Sequence, residues 1–209
     1  MNAFKVILPG FMTTFQDLGR IGFGKYGVPV SGAMDSIALR TANLLVGNME
    51  TDVGIEVTLQ NLKMMVLAPV FVAVTGADLQ FTINSEYHAP WRNFMLNKGD
   101  VIHFKKRVSG VRAYLTVRGG FMAPTFLGSA SVFVIGGMGS PLKKDDILRA
   151  GDSDQGFFHE MRLPDRYLPI PERKGIVRVI AGPQTTYFTF KGLTSFLNSS
   201  FRVKPQSNR

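Results

Sequence analysis

Along most of this chain, apolar and polar positions alternate in short runs separated by glycine, proline and asparagine. Residues 4–8 read as a first strand, stopped by Pro9-Gly10. Residues 55–59, 62–67, 70–75, 79–83, 94–96, 101–104, 111–117 and 131–135 continue the series. Turn residues bound several of these runs: Ala68-Pro69, Gly76, Asn84-Ser85, Lys98-Gly99-Asp100 and Gly119-Gly120. One stretch changes period. Met34, Ile37/Ala38, Thr41/Ala42 and Leu45 recur at three- and four-residue steps, which predicts a helix with those residues buried. Ser31 or Asp35 can cap its start, and Gly47-Asn48 suits its end. Many short strands and one or two short helices predict a mainly β chain closed, or nearly closed, into a barrel. Crossover helices for a parallel sheet are missing.

The helix is the end of a longer stretch, residues 13–48, that carries Asp17 and Arg20 and is rich in glycine. Ser36, Arg40 and Asn43 line up as a polar strip on the helix face opposite Ile37 and Ala38. This arrangement predicts a pocket shared by Arg20, Arg40 and Asn43. Structural ion pairs fixing an irregular loop are the alternative reading.

Composition narrows the function classes. The chain has 209 residues, 45% of them apolar, enough for a real core. No run of eighteen apolar residues is present, and Pro9-Gly10 interrupts the first apolar run too early for a signal peptide. Without cysteine there is no disulfide, thiolate nucleophile or cysteine metal site, and a cytoplasmic location is the default. The net charge of +9 is uneven: residues 160–209 hold nine basic and three acidic side chains. No basic helix or aromatic-interleaved motif accompanies it, so neither nucleic acid nor membrane is an expected partner.

Catalytic motifs are sparse. His88, His103 and His159 are too far apart to form ligand pairs, and no metal is expected. The glycine- and lysine-bearing segment 136–146 lacks the ending of a phosphate loop and reads as a hairpin or loop. Ser31 and Ser129 do not stand in a nucleophile elbow. Glu56, Asp78 and Arg118-Gly119-Gly120 fall at strand ends, where glycine allows a ligand close to the backbone and arginine suits a carboxylate. Tight turns would account for them equally well.

The segments TTFQDLGRIGFGKYGVPVSGAMD, ALRTANLLVGN, IEVTL, TGAD, YLTVRGGF, LGS and PQSNR occur here in one order. In that order the chain resembles the KipA-like family, also called allophanate hydrolase subunit 2, the biotin-dependent carboxyltransferase family or the 5-oxoprolinase C subunit. The resemblance runs from Phe4 to Arg209. It implies cyclophilin-like β-barrels and an ATP-dependent 5-oxoprolinase in which this chain does not bind ATP. The implied partners are a KipI-like chain and a LamB/YcsF-type chain, and the implied substrate is a small amide or lactam. Two alternatives are a regulatory protein that antagonises a KipI-like histidine-kinase inhibitor, and the carboxyltransferase part of a biotin-dependent urea or amide carboxylase. No cofactor is expected on this chain itself; partners would handle ATP or biotin.

The family's motif positions fall on Asp17, Gly19, Arg20, Ser31, Gly32, Asp35, Arg40, Asn43, Glu56, Gly76, Asp78, Arg118, Gly119, Gly120, Gln206, Ser207, Asn208 and Arg209. The resemblance suggests Asp17, Asp35 and Asp78 for proton transfer or for positioning the attacking group. Arg20, Ser31, Arg40, Asn43, Arg118, Gly119 and Gly120, with the four terminal residues, are the substrate-binding candidates. The sequence departs from the pattern after LGS. Many members carry Arg or Cys and then Ser-Thr there, and this chain has Ala130-Ser131-Val132.

Residues 1–162 are therefore expected to form the first barrel, and 163–174, with three prolines in residues 163–171, a linker. A strand at 177–180, a Gly/Pro break, two threonines and an aromatic then echo the N-terminal text, as if a second barrel began near residue 175. In the family PQSNR is followed by Met-Gly-Tyr-Arg and a long continuation. The expectation is a truncated chain, inactive alone, that self-associates through an incomplete second barrel.

Overall fold

A computed structural model describes residues 1–152, 159–169 and 178–202. The elements are β1 (Asn2–Pro9), β2 (Met12–Gln16), α1 (Ser36–Leu45), β3 (Gly54–Thr58), β4 (Leu62–Val66), β5 (Val70–Asp78) and β6 (Phe81–Ile83). They continue with β7 (Glu86–Tyr87), β8 (Arg92–Leu96), β9 (Val101–Phe104), β10 (Ser109–Val117), β11 (Phe121–Met122), β12 (Ile147–Ala150) and α2 (Phe190–Asn198). The mainly β class is as the alternation predicts.

The strands form two antiparallel sheets, in the orders β11-β12-β1-β4-β9-β6-β7 and β2-β3-β10-β5-β8. Strict alternation in β4 turns Leu62, Met64 and Val66 inward and leaves Lys63 and Met65 half exposed. The main core gathers Phe4, Ile55, Phe81, Phe104 and Leu115, each buried. Burying one such side chain stabilises by about 1.5–3 kcal/mol. β5 from Val70 to Thr75 and β10 from Ala113 to Val117 are buried on both faces. Val72, Val74, Ala113 and Leu115 belong to the main core, whereas Ala73 and Tyr114 pack against α1.

The expected barrel closure is corrected: no ladder of hydrogen bonds joins the two sheets among the described residues. β7 and β11 are only two residues long, so they end the larger sheet rather than extend it. The outer edge of β2 is covered by a loop instead. Val132 donates to the Phe15 carbonyl at 3.1 Å and Leu142 to the Thr13 carbonyl at 2.8 Å. The strand expected at 131–135 is accordingly part of this loop, with an isolated bridge between Phe133 and Met138.

Helix α1 begins at Asp35, whose Oδ1 accepts the Ala38 N–H at 3.0 Å, and is followed by Gly47 at φ 77°. Its buried face keeps Ala38, Ala42 and Leu45 of the expected stripe but takes in Leu39 and Asn43 in place of Met34 and Ile37. Ala38, Leu39, Ala42, Asn43 and Leu45 are inside, and Ile37 is 69% exposed. The buried Asn43 determines the difference. Its amide donates to the carbonyls of Asp52 at 2.8 Å and Glu50 at 3.3 Å, and its Oδ1 accepts from Asn48 at 3.2 Å. A residue that looks polar and outward is thus satisfied inside by the backbone that follows the helix.

The chain divides into two compact units, the first Met1–Pro169 and the second beginning at Ile170. Within the first, Leu163 and Leu168 pack against Leu39, Trp91 and Tyr114, so the start of the proline-rich segment is docked. In the second unit, the strand expected at 177–180 is absent from residues 178–180, and Val177 lies outside the described residues. The threonine pair there forms a 3-10 turn, Thr185–Tyr187, where the N-terminal pair lies in β2. Thr189 then caps α2 by accepting the Gly192 N–H at 3.1 Å. A local hydrogen-bonded cap wins over the strand pattern.

Candidate functional site

Two backbone segments meet in the glycine-rich stretch after β2. Arg20 donates its N–H to the Val30 carbonyl at 2.8 Å and Ala33 to the Asp17 carbonyl at 2.9 Å. The approach is close enough to require glycine. A Cβ on Gly19 would stand 2.5 Å from the Val30 carbonyl oxygen, and one on Gly32 would stand 2.8 Å from the Leu18 carbonyl carbon. Both residues also have positive φ, 91° and 83°.

Asp17 ties this stretch to the loop that covers β2. Its Oδ1 accepts from the Gly19 N–H at 2.7 Å, the Ser129 hydroxyl at 2.6 Å and the Ser131 hydroxyl at 2.5 Å. Oδ2 accepts from the Ala130 N–H at 2.7 Å. Burial alone would raise the carboxyl's pKa, but the bonds from Ser129, Ser131, Gly19 and Ala130 outweigh it and hold it below the ordinary value. Asp17 is therefore an ionised pin. The two serines donate to it and accept in turn from backbone: Ser131 from Asp17 N–H at 3.0 Å, Ser129 from Ser131 N–H at 3.1 Å. Neither hydroxyl is poised as a nucleophile.

Arg20 lies on the same loop and is only 2% exposed. Its Nε donates to the Phe126 carbonyl at 3.3 Å, and Nη2 donates to the Ser131 carbonyl. Nη1 has no partner among the described residues. Beside it is a cavity of about 210 Å³ whose lining includes Phe15, Arg20, Ala130, Met138, Pro141 and Asp146. That is smaller than the roughly 300–1,000 Å³ of drug-sized pockets.

A second network fixes the entrance to α1. Glu56 accepts from the Met34 N–H at 2.9 Å and the Tyr114 hydroxyl at 2.7 Å, and from Arg112 Nε at 2.9 Å. Tyr114 in turn accepts the Asp35 N–H at 2.8 Å. Burial, helped by the Glu56 charge, pushes the phenol pKa far up, so it stays protonated and donates.

The expected shared pocket of Arg20, Arg40 and Asn43 is not formed. Arg40 is exposed and ion-pairs with Glu50, ten residues on, and Asn43 serves the helix end. Arg118 stacks its guanidinium 4.5 Å from the Phe71 ring centre, and Nε donates to the Val46 carbonyl at 3.1 Å. The Gly119 N–H donates to Asn48 Oδ1 at 2.9 Å, and a Cβ there would meet the Gly151 carbonyl at 2.9 Å. Gly120 turns at φ 69° beside Asp52. Asp78 accepts from Gln80 N–H at 2.8 Å and Tyr87 hydroxyl at 2.9 Å, bracing the turn after β5. Ser31 has φ 59° and a buried hydroxyl without a partner among the described residues. Gln206, Ser207, Asn208 and Arg209 lie outside the described residues.

Sequence reasoning weighed Ser129 only as a nucleophile and missed Ser131, Tyr114 and Arg112. The LGS segment was the one signal for Ser129, and its departure at Ala130-Ser131-Val132 obscured that it supplies Asp17 with two hydroxyls and an N–H. Among the described residues, no three His, Asp or Glu side chains group as metal ligands, and no helix is long and apolar enough to cross a membrane.

Comparison with known proteins follows the same segments. Residues 26–209 match the family described as carboxyltransferase domain, subdomain A and B. The urea amidolyase of Lachancea kluyveri is 33% identical over 224 residues, covering 99% of this chain and 12% of that protein. The 5-oxoprolinase C subunit of Escherichia coli K12 is 34% identical over 211 residues, covering 98% of this chain and 66% of that one. The crystal structure of the K. lactis urea amidolyase superposes with a TM-score of 0.74 at 34% identity, covering 82% of this chain and 11% of the other. The chain thus spans only part of the length of each relative. It belongs to the family of carboxyltransferase domains, subdomains A and B.

Proposed function

We propose that the protein carrying this chain is the non-ATP-binding subunit of a 5-oxoprolinase, which opens the lactam of 5-oxoproline to glutamate. The observation that carries this reading is the 34% identity with the E. coli protein named as the C subunit of 5-oxoprolinase, which runs across 98% of this chain. In the reaction water adds at the lactam carbonyl, the C–N bond breaks and the nitrogen takes a proton. ATP is handled by KipI-like and LamB/YcsF-type partners, and this chain binds and orients the small amide. Asp17 acts as a positioning residue, since its carboxylate already accepts four hydrogen bonds.

A second reading has its own support. The identity with the L. kluyveri urea amidolyase is 33% over 99% of this chain, and the family's name is that of a carboxyltransferase. On that reading the chain transfers a carboxyl group to urea or another amide. Co-expression with KipI-like and LamB/YcsF-type chains separates the two. ATP hydrolysis that requires 5-oxoproline and stops when this protein is left out supports the lactam reading. Loss of this dependence, with carboxylation of urea from a biotinylated carrier instead, overturns it.

A further inference from the structure

We propose that the cavity between β2 and the loop over its edge is a binding site for a small carboxylate anion, with Arg20 as its charged donor. Three observations lead there. The guanidinium is 2% exposed and directs Nε and Nη2 to two backbone carbonyls, Phe126 and Ser131, which are neutral. Its remaining nitrogen, Nη1, has no acceptor among the described residues. Buried donors without a partner are rare, and a buried cation without a counter-charge is rarer, so such a group marks the place of an unseen acceptor. Arginine's planar guanidinium suits an oxyanion such as a carboxylate, and the apolar walls of the cavity favour one with a carbon body.

The cavity beside Arg20 is of the right scale. Its volume of about 210 Å³ equals the liquid volume of roughly seven waters, enough for a short carboxylic acid and too little for a nucleotide. The walls are made for an ion with an apolar body: Phe15, Val132, Met138 and Pro141 offer carbon surface. The acidic side chain in the lining, Asp146, has Oδ2 occupied by the Lys143 N–H at 2.7 Å. Ser129 and Ser131 already donate their hydroxyl protons to Asp17, and Thr125 and Ser140 add two neutral hydroxyl residues to the lining. Arg20 is the cationic side chain of this lining and therefore the charged donor for an anion. Asp17 holds the loop on which it stands.

This inference rests on the lactam reading only for the identity of the natural ligand, 5-oxoproline. The test is a titration of the protein followed by NMR at the Arg20 side-chain Nε–H and the backbone amides of residues 129–132. The probes are acetate, 5-oxoproline and 2-pyrrolidinone, the same ring without the carboxylate. Acetate is expected to move these resonances, and pyrrolidinone to bind about tenfold more weakly than 5-oxoproline, or not at all, for want of the charge-assisted bond. Met138→Trp, which fills the cavity and keeps both loop anchors of Arg20, is expected to abolish the response. Arg20→Gln is expected to abolish it at the backbone amides as well. A response to acetate without one to 5-oxoproline supports the site and counts against the lactam reading. No response to acetate at these resonances, or an undiminished one in folded Met138→Trp, overturns the proposal.

Discussion

Asp17 Oδ1 accepts the Ser129 hydroxyl at 2.6 Å across 112 residues of sequence. That bond joins the glycine-rich stretch after β2 to the loop that covers β2, and Arg20 is held where the two meet. Hydrogen bonds to a charged acceptor contribute about 1.5–3 kcal/mol each, and Asp17 collects four. Asp17→Asn replaces one acceptor oxygen by a donor facing N–H groups. It should lower stability by about 2–4 kcal/mol in urea unfolding. A double-mutant cycle with Ser129→Ala should show a coupling of about 1–2 kcal/mol.

The same carboxylate makes a pH prediction. Its pKa is lowered on folding from the ordinary 3.8, so the folded state holds fewer protons than the unfolded one at acid pH. The stabilisation from Asp17 is thus complete above pH 3.8 and is lost as pH falls through the lowered value. Unfolding midpoints of wild type and Asp17→Asn should differ most above about pH 5 and converge in strong acid.

Gly32→Ala should cost about 1–3 kcal/mol, because its Cβ would stand 2.8 Å from the Leu18 carbonyl carbon at φ 83°. Gly22→Ala is the control for backbone strain alone: φ there is 98° and nothing lies within 4 Å of the added carbon. Thermal denaturation of the two should rank Gly32→Ala the less stable.

Tyr114→Phe removes the acceptor for the Asp35 N–H and a donor to Glu56 in a buried network. A loss of about 1–3 kcal/mol is expected in denaturant unfolding. Arg40→Ala, by contrast, breaks an exposed pair with Glu50, worth about 0.2–1 kcal/mol. It should leave carboxylate binding unchanged.

The β class was legible because alternation is a local property: the runs at 62–67 and 101–104 coincide with β4 and β9 to within a residue. β2 was hidden, since its MTTFQ has two adjacent threonines that break the apolar alternation and it runs into the turn-rich loop. The helix was found and Ala38, Ala42 and Leu45 are buried as expected, but Asn43 was placed outside, because its burial depends on the carbonyls of Glu50 and Asp52. The site was half visible. Asp17 and Arg20 stood out beside the glycines, whereas Ser129, Ser131 and Phe126 reach them only through the loop over the β2 edge. Arg40 stands apart from Arg20 and pairs with Glu50, and the contacts of Tyr114 and Arg112 with Glu56 join β10 to β3, a pairing that no local pattern announces.

The most direct test of the functional account is a competition assay. The protein carrying this chain, mixed with its KipI-like and LamB/YcsF-type partners, is given 5-oxoproline, urea or both, and ADP and glutamate are measured together. ADP and glutamate are expected in equal amounts with 5-oxoproline, with no change on adding urea. ATP use that responds to urea and bicarbonate through a biotinylated carrier, with no glutamate from 5-oxoproline, would contradict the account.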